Sequence, residues 1–384
     1  MFNSGDIIVH KAIVSAAAGS VDISRRIHSF KIFEHIMKPF VTLKMTILDS
    51  ADLLNYNLGL DGTNTIDLSF GQPGMEPYAM TFMLMSIEKG SALENLRTQT
   101  YYLTGYSPHM KNHPKPQRSY RDMPGTAIAA DLINTYLKPS KPLQIGDVSK
   151  GMLGNKHMPH NINALGIHNA IKMTLLRSAS SKNLSSAYVF FENRKALIID
   201  TLENLAQKAQ SPNITFYQRP MGQDFLRDAM FQNFIIINMK EESRIDATDT
   251  AQDQSQQARP YDLFGLGTKL AGALSGAASS NFQIPMNALR PKSFMNEVIP
   301  ARAKLASQFD SQSITIQVPY NTALIVGEGF AVQTLAPAGD TEEIKLDKIS
   351  GPVLCTEVCH SIDLTKKRIQ GTSTAKGVKY PPPG

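Results

Sequence analysis

Residues 161–205 read NINALGIHNAIKMTLLRSASSKNLSSAYVFFENRKALIIDTLENL, and the periodicity of this stretch decides the fold of the middle of the chain. Its first half has apolar residues at helical spacing, namely Ile167, Ala170, Ile171 and Leu175. This spacing predicts a helix with one apolar face. Residues 188–192 and 196–200 are short apolar runs rich in aromatic and β-branched residues, and the polar Asn193-Arg194-Lys195 separates them. The two runs and their short connection predict a tight hairpin.

The predicted helix and hairpin, followed by a second short helix, form a compact docking module. No residue pattern within the module is typical of catalysis. Strand-rich sequence flanks it on both sides, and this arrangement favours an assembly protein over an enzyme.

Composition allows a sizeable core. The chain has 384 residues, of which 42% are hydrophobic and 19% charged, so two or three ordered domains are expected. The net charge is +6. The basic residues are dispersed, without a run of five, which favours a generally basic surface over a dedicated nucleic-acid groove. We therefore expect no specific nucleic-acid binding.

The cysteines, Cys355 and Cys359, lie in the segment CTEVCH with His360. On a helix this spacing could hold a metal, but the segment has the pattern of a strand. On one face of a strand the two residues would be about 13 Å apart, whereas a disulfide needs Cα atoms within about 7 Å. Buried thiols are therefore expected, as in a protein assembled in a reducing cytoplasm.

The N-terminus has no basic segment followed by a long apolar stretch, so no signal peptide is predicted. No run approaches the roughly 18 apolar residues of a membrane span, so no membrane association is expected.

Period-2 alternation divides the rest of the chain. Residues 1–107 contain several alternating segments, of which 40–48 (FVTLKMTIL) is the clearest, and predict a small antiparallel barrel or sandwich. Residues 108–200 are mixed, with a predicted helix over 127–137 ahead of the docking module. The fold class expected is α+β, with two barrels and a small mixed α/β domain between them.

Residues 201–240 and 310–374 predict the second antiparallel barrel, interrupted by residues 241–309. This insertion is rich in polar residues and then in glycine, alanine and leucine. It is either a flexible surface insertion or a segment that orders against a partner, and both interpretations stay open. Residues 375–384, which end in three prolines and a glycine, predict an extended tail.

The usual catalytic motifs are absent from the sequence: there is no G-x-S-x-G, H-E-x-x-H or Walker A pattern. Gly265, Gly267 and Gly272 do not have dinucleotide-loop spacing. The nearest histidine pairs are His109 with His113 and His157 with His160. A metal site there would need a further ligand such as Asp122, and loop histidines are the simpler interpretation.

Glu192 and Asp200 are the best candidates for paired carboxylates. Because both belong to the predicted hairpin, we expect them to be ordinary exposed side chains. Asp310, Asp340 and Glu342 are expected at turns. We therefore predict no catalytic residue, no metal ligand and no cofactor.

Three stretches resemble one known family. They are YVFFENRKALIIDTLENL (188–205), the preceding NALGIHNAIKMTLLRSAS (163–180), and SITIQVPYNTALIVGEGFAVQTL (313–335) followed by GPVLCTEVCHSIDL (351–364). The aromatic strand, Glu-Asn turn and apolar strand, together with the late glycine-containing turn and closing hairpin, resemble the central baseplate hub proteins of contractile-tailed bacteriophages.

The resemblance implies two tail-tube-like barrels per chain and a homotrimer that forms a pseudo-sixfold ring. Such a ring would adapt a six-fold tail tube to a three-fold spike in the virion baseplate. Implied partners are the spike protein, tube or tube-initiator proteins, baseplate wedge proteins and a tape-measure protein. No enzyme activity is implied. The alternatives are a tail-associated cell-wall hydrolase, and a component of a non-phage contractile injection system.

Overall fold

The computed structural model describes residues 6–49, 63–90, 99–111, 114–121, 123–150, 160–162, 166–180, 182, 187–218, 233–241, 309, 312–333, 350–365 and 369–379. Strands dominate these residues and helices are few, in agreement with the predicted α+β class. None of the helices in the described ranges is long and apolar enough to cross a membrane.

The strands of the described residues are β1 (Ile8–Ala16), β2 (Gly19–Asp22), β3 (Ile27–His35), β4 (Thr42–Asp49), β5 (Thr65–Gly71), β6 (Tyr78–Lys89), β7 (Gln99–Tyr106), β8 (Arg118–Tyr120), β9 (Leu143–Ile145), β10 (Ser149–Lys150), β11 (His160–Ile162), β12 (Ala179–Ser180), β13 (Tyr188–Glu192), β14 (Leu197–Thr201), β15 (Thr215–Gln218), β16 (Asn233–Glu241), β17 (Gln312–Pro319), β18 (Gly329–Gln333), β19 (Gly351–Asp363) and β20 (Gln370–Val378). The helices are α1 (Gly125–Leu132), α2 (Ile167–Leu176) and α3 (Leu202–Ala209). A 3₁₀ turn covers Pro108–Lys111, and a π-helical segment, Ile133–Leu137, continues α1.

Thirteen strands of the described residues form one sheet, in the order β18-β15-β16-β17-β20-β19-β3-β4-β7-β6-β5-β1-β2. A further pairing joins β18 to β19, so the six strands of the C-terminal half close into a hydrogen-bonded ring. Closure leaves these strands without a free edge. The predicted strand content is confirmed, and the sheet is continuous from one half of the chain to the other.

The two halves join where β19 pairs antiparallel with β3, over seven residues from Glu357↔His35 to Asp363↔Ser29. A second link connects the start of β1 with β20. There Asp6 forms an isolated bridge to Gln370, and the amide of Ile7 donates to the carbonyl of Ile369 at 3.1 Å. Hydrogen bonding in the N-terminal half is therefore also partly ring-like.

Each half of the sheet covers its own hydrophobic core. The N-terminal core includes Phe30, Phe70 and Phe82, and the C-terminal core includes Phe216 and Phe330. Alternation explains the placement, since in β4 the buried Leu43, Met45 and Ile47 alternate with the exposed Lys44. A third core lies in the middle region between α1, α2 and the sheet β13-β14-β9.

The prediction that the second half is purely antiparallel was wrong. Strand β15 pairs parallel with both β16 and β18. No hairpin joins β15 to either partner: residues 219–232 lie between β15 and β16 in the sequence, and β16 and β17 lie between β15 and β18. Connections of this length permit parallel pairing. In addition β20 continues to Val378, so residues 375–378, assigned from the sequence to the tail, belong to the sheet.

The two cysteines do not share one face of β19, and this prediction was wrong. A β-bulge between Cys355 and Glu357 inserts one residue into the strand. Such an insertion switches the side chains on one side of it to the opposite face. Cys355 is therefore buried in the C-terminal core, whereas Cys359 is only partly buried.

Candidate functional site

The hairpin predicted from residues 188–200 is confirmed as β13 and β14, which pair from Tyr188↔Thr201 to Glu192↔Leu197. Its first strand is buried on both faces. Val189 and Phe191 lie in the C-terminal core, and Tyr188 lies in the middle core. Burial on both faces explains why the strand is a continuous apolar run instead of an alternating one.

The turn of this hairpin begins at Glu192, which reaches the N-terminal half of the sheet. Its carboxylate accepts hydrogen bonds from the amide of Val41 at 3.1 Å and from the hydroxyl of Ser107, which flank β4 and β7. Lys141 pairs with it at 2.8 Å, and Nε2 of His109 lies 3.8 Å away. The carboxylate therefore links the middle region to the ends of two neighbouring strands.

Glu192 and Asp200 were predicted to be exposed, and this prediction was wrong: their exposed fractions are 2% and 0%. Asp200 accepts hydrogen bonds from Asn204 at 2.8 Å and from Lys208 at 2.7 Å, so it fastens α3 to the hairpin. Buried carboxylates are stable only when paired and hydrogen-bonded, and both meet that condition.

The following residues of the turn reach the C-terminal half. The side-chain amide of Asn193 donates to the carbonyl of Val326 at 3.1 Å, while its oxygen accepts from the amides of Lys195 and Ala196. Lys195 pairs with Glu328 at 2.7 Å. One four-residue turn thus contacts both halves of the large sheet. We call residues 192–195 with these contacts the junction.

A glycine is needed where the junction meets the C-terminal half. Gly327 has φ +87°, a conformation that residues with a side chain rarely adopt, and a Cβ there would lie 2.5 Å from Cζ of Phe191. Phe191 is fully buried, so its ring has no room to move aside. Both the backbone and the packing therefore require glycine at this position.

We expect Gly327→Ala to lower the free energy of unfolding by about 2 kcal/mol more than Gly74→Ala does. Gly74 has a similar φ of +80° but nothing within 4 Å of a Cβ, so its substitution introduces only the backbone strain. Urea unfolding of both variants measures the difference. Equal losses would show that Phe191 moves aside without penalty.

A second buried polar group lies where the two halves of the sheet meet. The hydroxyl of Tyr78 donates to Glu34 at 2.9 Å, and Nδ1 of His360 lies 2.8 Å from the hydroxyl of Ser373. The rings of Tyr78 and Tyr320 both pack against the His360 ring, with centroids 5.9 and 5.1 Å away. Among the described residues, Oε2 of Glu34 has no hydrogen-bond partner.

Burial is the main cause of the pKa shifts of Glu34 and His360. It raises the pKa of Glu34 to about 7, partly offset by the Tyr78 hydrogen bond. It lowers the pKa of His360 to about 3, with a smaller contribution in the same direction from the Arg194 guanidinium. At neutral pH His360 is therefore neutral, and Glu34 is shared between its neutral and charged forms.

Acid should weaken the fold through His360. Its folded pKa, about 3, lies below its ordinary value of 6.5. The stabilisation is therefore present above pH 6.5 and is lost as pH falls towards 3. We expect wild type to lose about 2 kcal/mol more than His360→Asn between pH 7 and pH 5, measured by urea unfolding. A parallel loss in both proteins would contradict this assignment.

The histidines considered as metal ligands are not brought together in the part of the chain that is described. His109 lies in the 3₁₀ turn with Nε2 2.8 Å from the carbonyl of Pro39, and His160 lies in β11. Several other candidates lie outside the described residues, namely His113, Asp122, His157, Gly265, Gly267, Gly272, Asp310, Asp340 and Glu342. Within the described ranges no group of three His, Cys, Asp or Glu residues could hold a metal ion.

The geometry of the junction suits fastening rather than chemistry. Lys141 occupies one carboxylate oxygen of Glu192, and the Val41 amide and Ser107 hydroxyl occupy the other. A general acid or base must instead reach the proton of a substrate. The sequence reveals the hairpin, but it gives no sign that the turn is buried, because its partners come from residues 41, 107 and 326.

Comparison with solved structures identifies the fold. Over 97% of this chain and 96% of the other, the structure is similar to a tail protein from Neisseria meningitidis MC58, with 9% identity and a TM-score of 0.53. It is also similar to a 43 kDa tail protein of prophage MuSo2 from Shewanella oneidensis, over 96% and 98% of the two chains, with 10% identity and a TM-score of 0.50. No protein-family model and no curated protein sequence matches the chain. The tail-protein likeness expected from the sequence is therefore confirmed for the fold.

Proposed function

We propose that this protein is a structural subunit of a contractile phage tail and acts as the baseplate hub. The observation that carries the proposal is the continuous thirteen-stranded sheet, which covers two separate cores within one chain. Two barrel-like units per subunit would let three subunits present six similar units around an axis. The fold shared with tail proteins supports the same interpretation.

In this role the ring adapts a six-fold tail tube above to a three-fold spike below, within the virion baseplate. The middle region lies outside the ring and contacts wedge proteins, and a tape-measure protein enters the lumen. The subunit needs no catalytic residue, and the saturated contacts of Glu192 agree with that.

Light scattering after size-exclusion chromatography tests the proposal. A hub subunit is expected at about three times the chain mass of 42.2 kDa, alone or after addition of its spike protein. A chain that stays monomeric in both conditions would argue strongly against a hub. Genes for tail proteins beside this one would distinguish a phage from another contractile injection system.

A further inference from the structure

A cleft of about 440 Å³ opens between the N-terminal half of the sheet and the middle region. Its walls include the charged side chains Lys11 and Asp67 on one side and Lys141, Glu192 and Arg194 on the other. Since the hairpin turn forms part of the wall, whatever enters the cleft would contact the junction directly.

Both carboxylates of the cleft are already neutralised. Asp67 accepts a hydrogen bond from the hydroxyl of Thr81 at 2.6 Å and pairs with Lys11 at 3.1 Å, and these contacts lower its pKa. Glu192 pairs with Lys141 at 2.8 Å. Each carboxylate thus uses one lysine, so neither is free to attract a further cation.

Arg194 differs from the paired lysines and carboxylates of the cleft. It is partly buried and lines the cleft, yet among the described residues no ion pair or hydrogen bond engages its guanidinium. A guanidinium has five N–H donors arranged to bind a carboxylate through two parallel hydrogen bonds. Its influence on the buried Glu34 is small, since Arg194 lowers the pKa of that carboxyl less than the Tyr78 hydrogen bond and Lys141 do.

We propose that this cleft binds an acidic segment of another tail protein, with one carboxylate of that segment paired to Arg194. The inference rests on the proposed function and adds the chemistry of the partner. Charge complementarity selects the occupant, because the cleft has one cation in excess and its other charges cancel. Partly buried arginines of this kind are typical anchors of protein interfaces.

The test uses an acetylated, amidated hexaglutamate peptide as the probe, with hexaserine as the uncharged peptide control. We expect calorimetry to show saturable hexaglutamate binding to the wild-type protein, and about tenfold weaker binding to Arg194→Gln. The matched protein control is Arg25→Gln, which removes the same charge from an exposed position away from the cleft and should bind like wild type.

The inference would be overturned by no saturable binding to wild type, by equal binding to wild type and Arg194→Gln, or by an equal weakening in Arg25→Gln. Binding of inorganic phosphate with the same affinity and the same dependence on Arg194 would also overturn it, since the site would then be a general anion site. If the protein forms trimers but fails these tests, only this inference is contradicted. If it is a strict monomer that binds the peptide, only the hub assignment is contradicted.

Discussion

Replacing Glu192 with alanine is expected to lower the free energy of unfolding by about 3–5 kcal/mol. The substitution leaves the Lys141 ammonium, the Ser107 hydroxyl and the Val41 amide without their shared acceptor. The ammonium would keep its hydrogen bond to the Asn193 carbonyl at 2.8 Å but would have no opposite charge beside it, in a site where its side chain is only 17% exposed. A charge without an opposite charge is strongly unfavourable there. Urea unfolding at neutral pH measures the loss.

Glu328→Ala is the matched control. It breaks the other glutamate–lysine pair of the junction, in which the Lys195 and Glu328 side chains are 53% and 35% exposed. A pair so open to solvent should contribute less than about 1 kcal/mol. If the two variants lose the same stability, or if Glu192→Ala loses less than about 1 kcal/mol, the junction does not hold the three parts of the molecule together.

Glu34→Gln is expected to make the protein more stable at alkaline pH. The variant keeps an acceptor for the Tyr78 hydroxyl but cannot ionise. In wild type the pKa of Glu34 rises on folding from 4.5 to about 7, chiefly through burial. Its stabilising contribution is therefore fully present below pH 4.5 and is lost as pH rises through 7. The shift corresponds to about 3 kcal/mol at pH 8.

The measurement compares wild type and Glu34→Gln by urea unfolding at pH 4.5 and at pH 8. The difference between the two proteins should move by about 3 kcal/mol in favour of the variant at the higher pH. His360 titrates in both proteins, so its effect cancels in the comparison. A difference that does not change with pH would mean that folding leaves the pKa of Glu34 unchanged.

Local signals in the sequence were enough to predict the elements of the middle region. The helical spacing around Ile171 and the two apolar runs beside Asn193 predicted α2 and the hairpin correctly. The alternation around Lys44 predicted β4 and its buried face. These signals succeed because the period of apolar residues reflects which face of a single element is buried.

The environment of the junction could not be predicted in the same way. The acceptor Glu192 and the donor Val41 are 151 residues apart, and no local pattern reports such a contact. A polar turn is usually exposed, so composition pointed to the wrong environment. The bulge beside Cys355 was missed for a related reason. One inserted residue moves the side chains that follow it to the opposite face of the sheet, and the composition of the strand does not show this.

The parallel pairing of β15 and the ring closure of the C-terminal half also depend on contacts distant in sequence. The local period of apolar residues shows which face of a strand is buried, but it does not show which other strand pairs with it. The buried polar group around Glu34 is similar, since it draws side chains from β3, β6 and β19.

A low-resolution electron-microscopy image of the assembled protein tests the hub assignment most directly. We expect closed rings of three copies around an open centre, with six similar lobes that correspond to the two cores of each chain. Single-copy particles in the presence of the spike protein, or rings without three-fold symmetry, would contradict it.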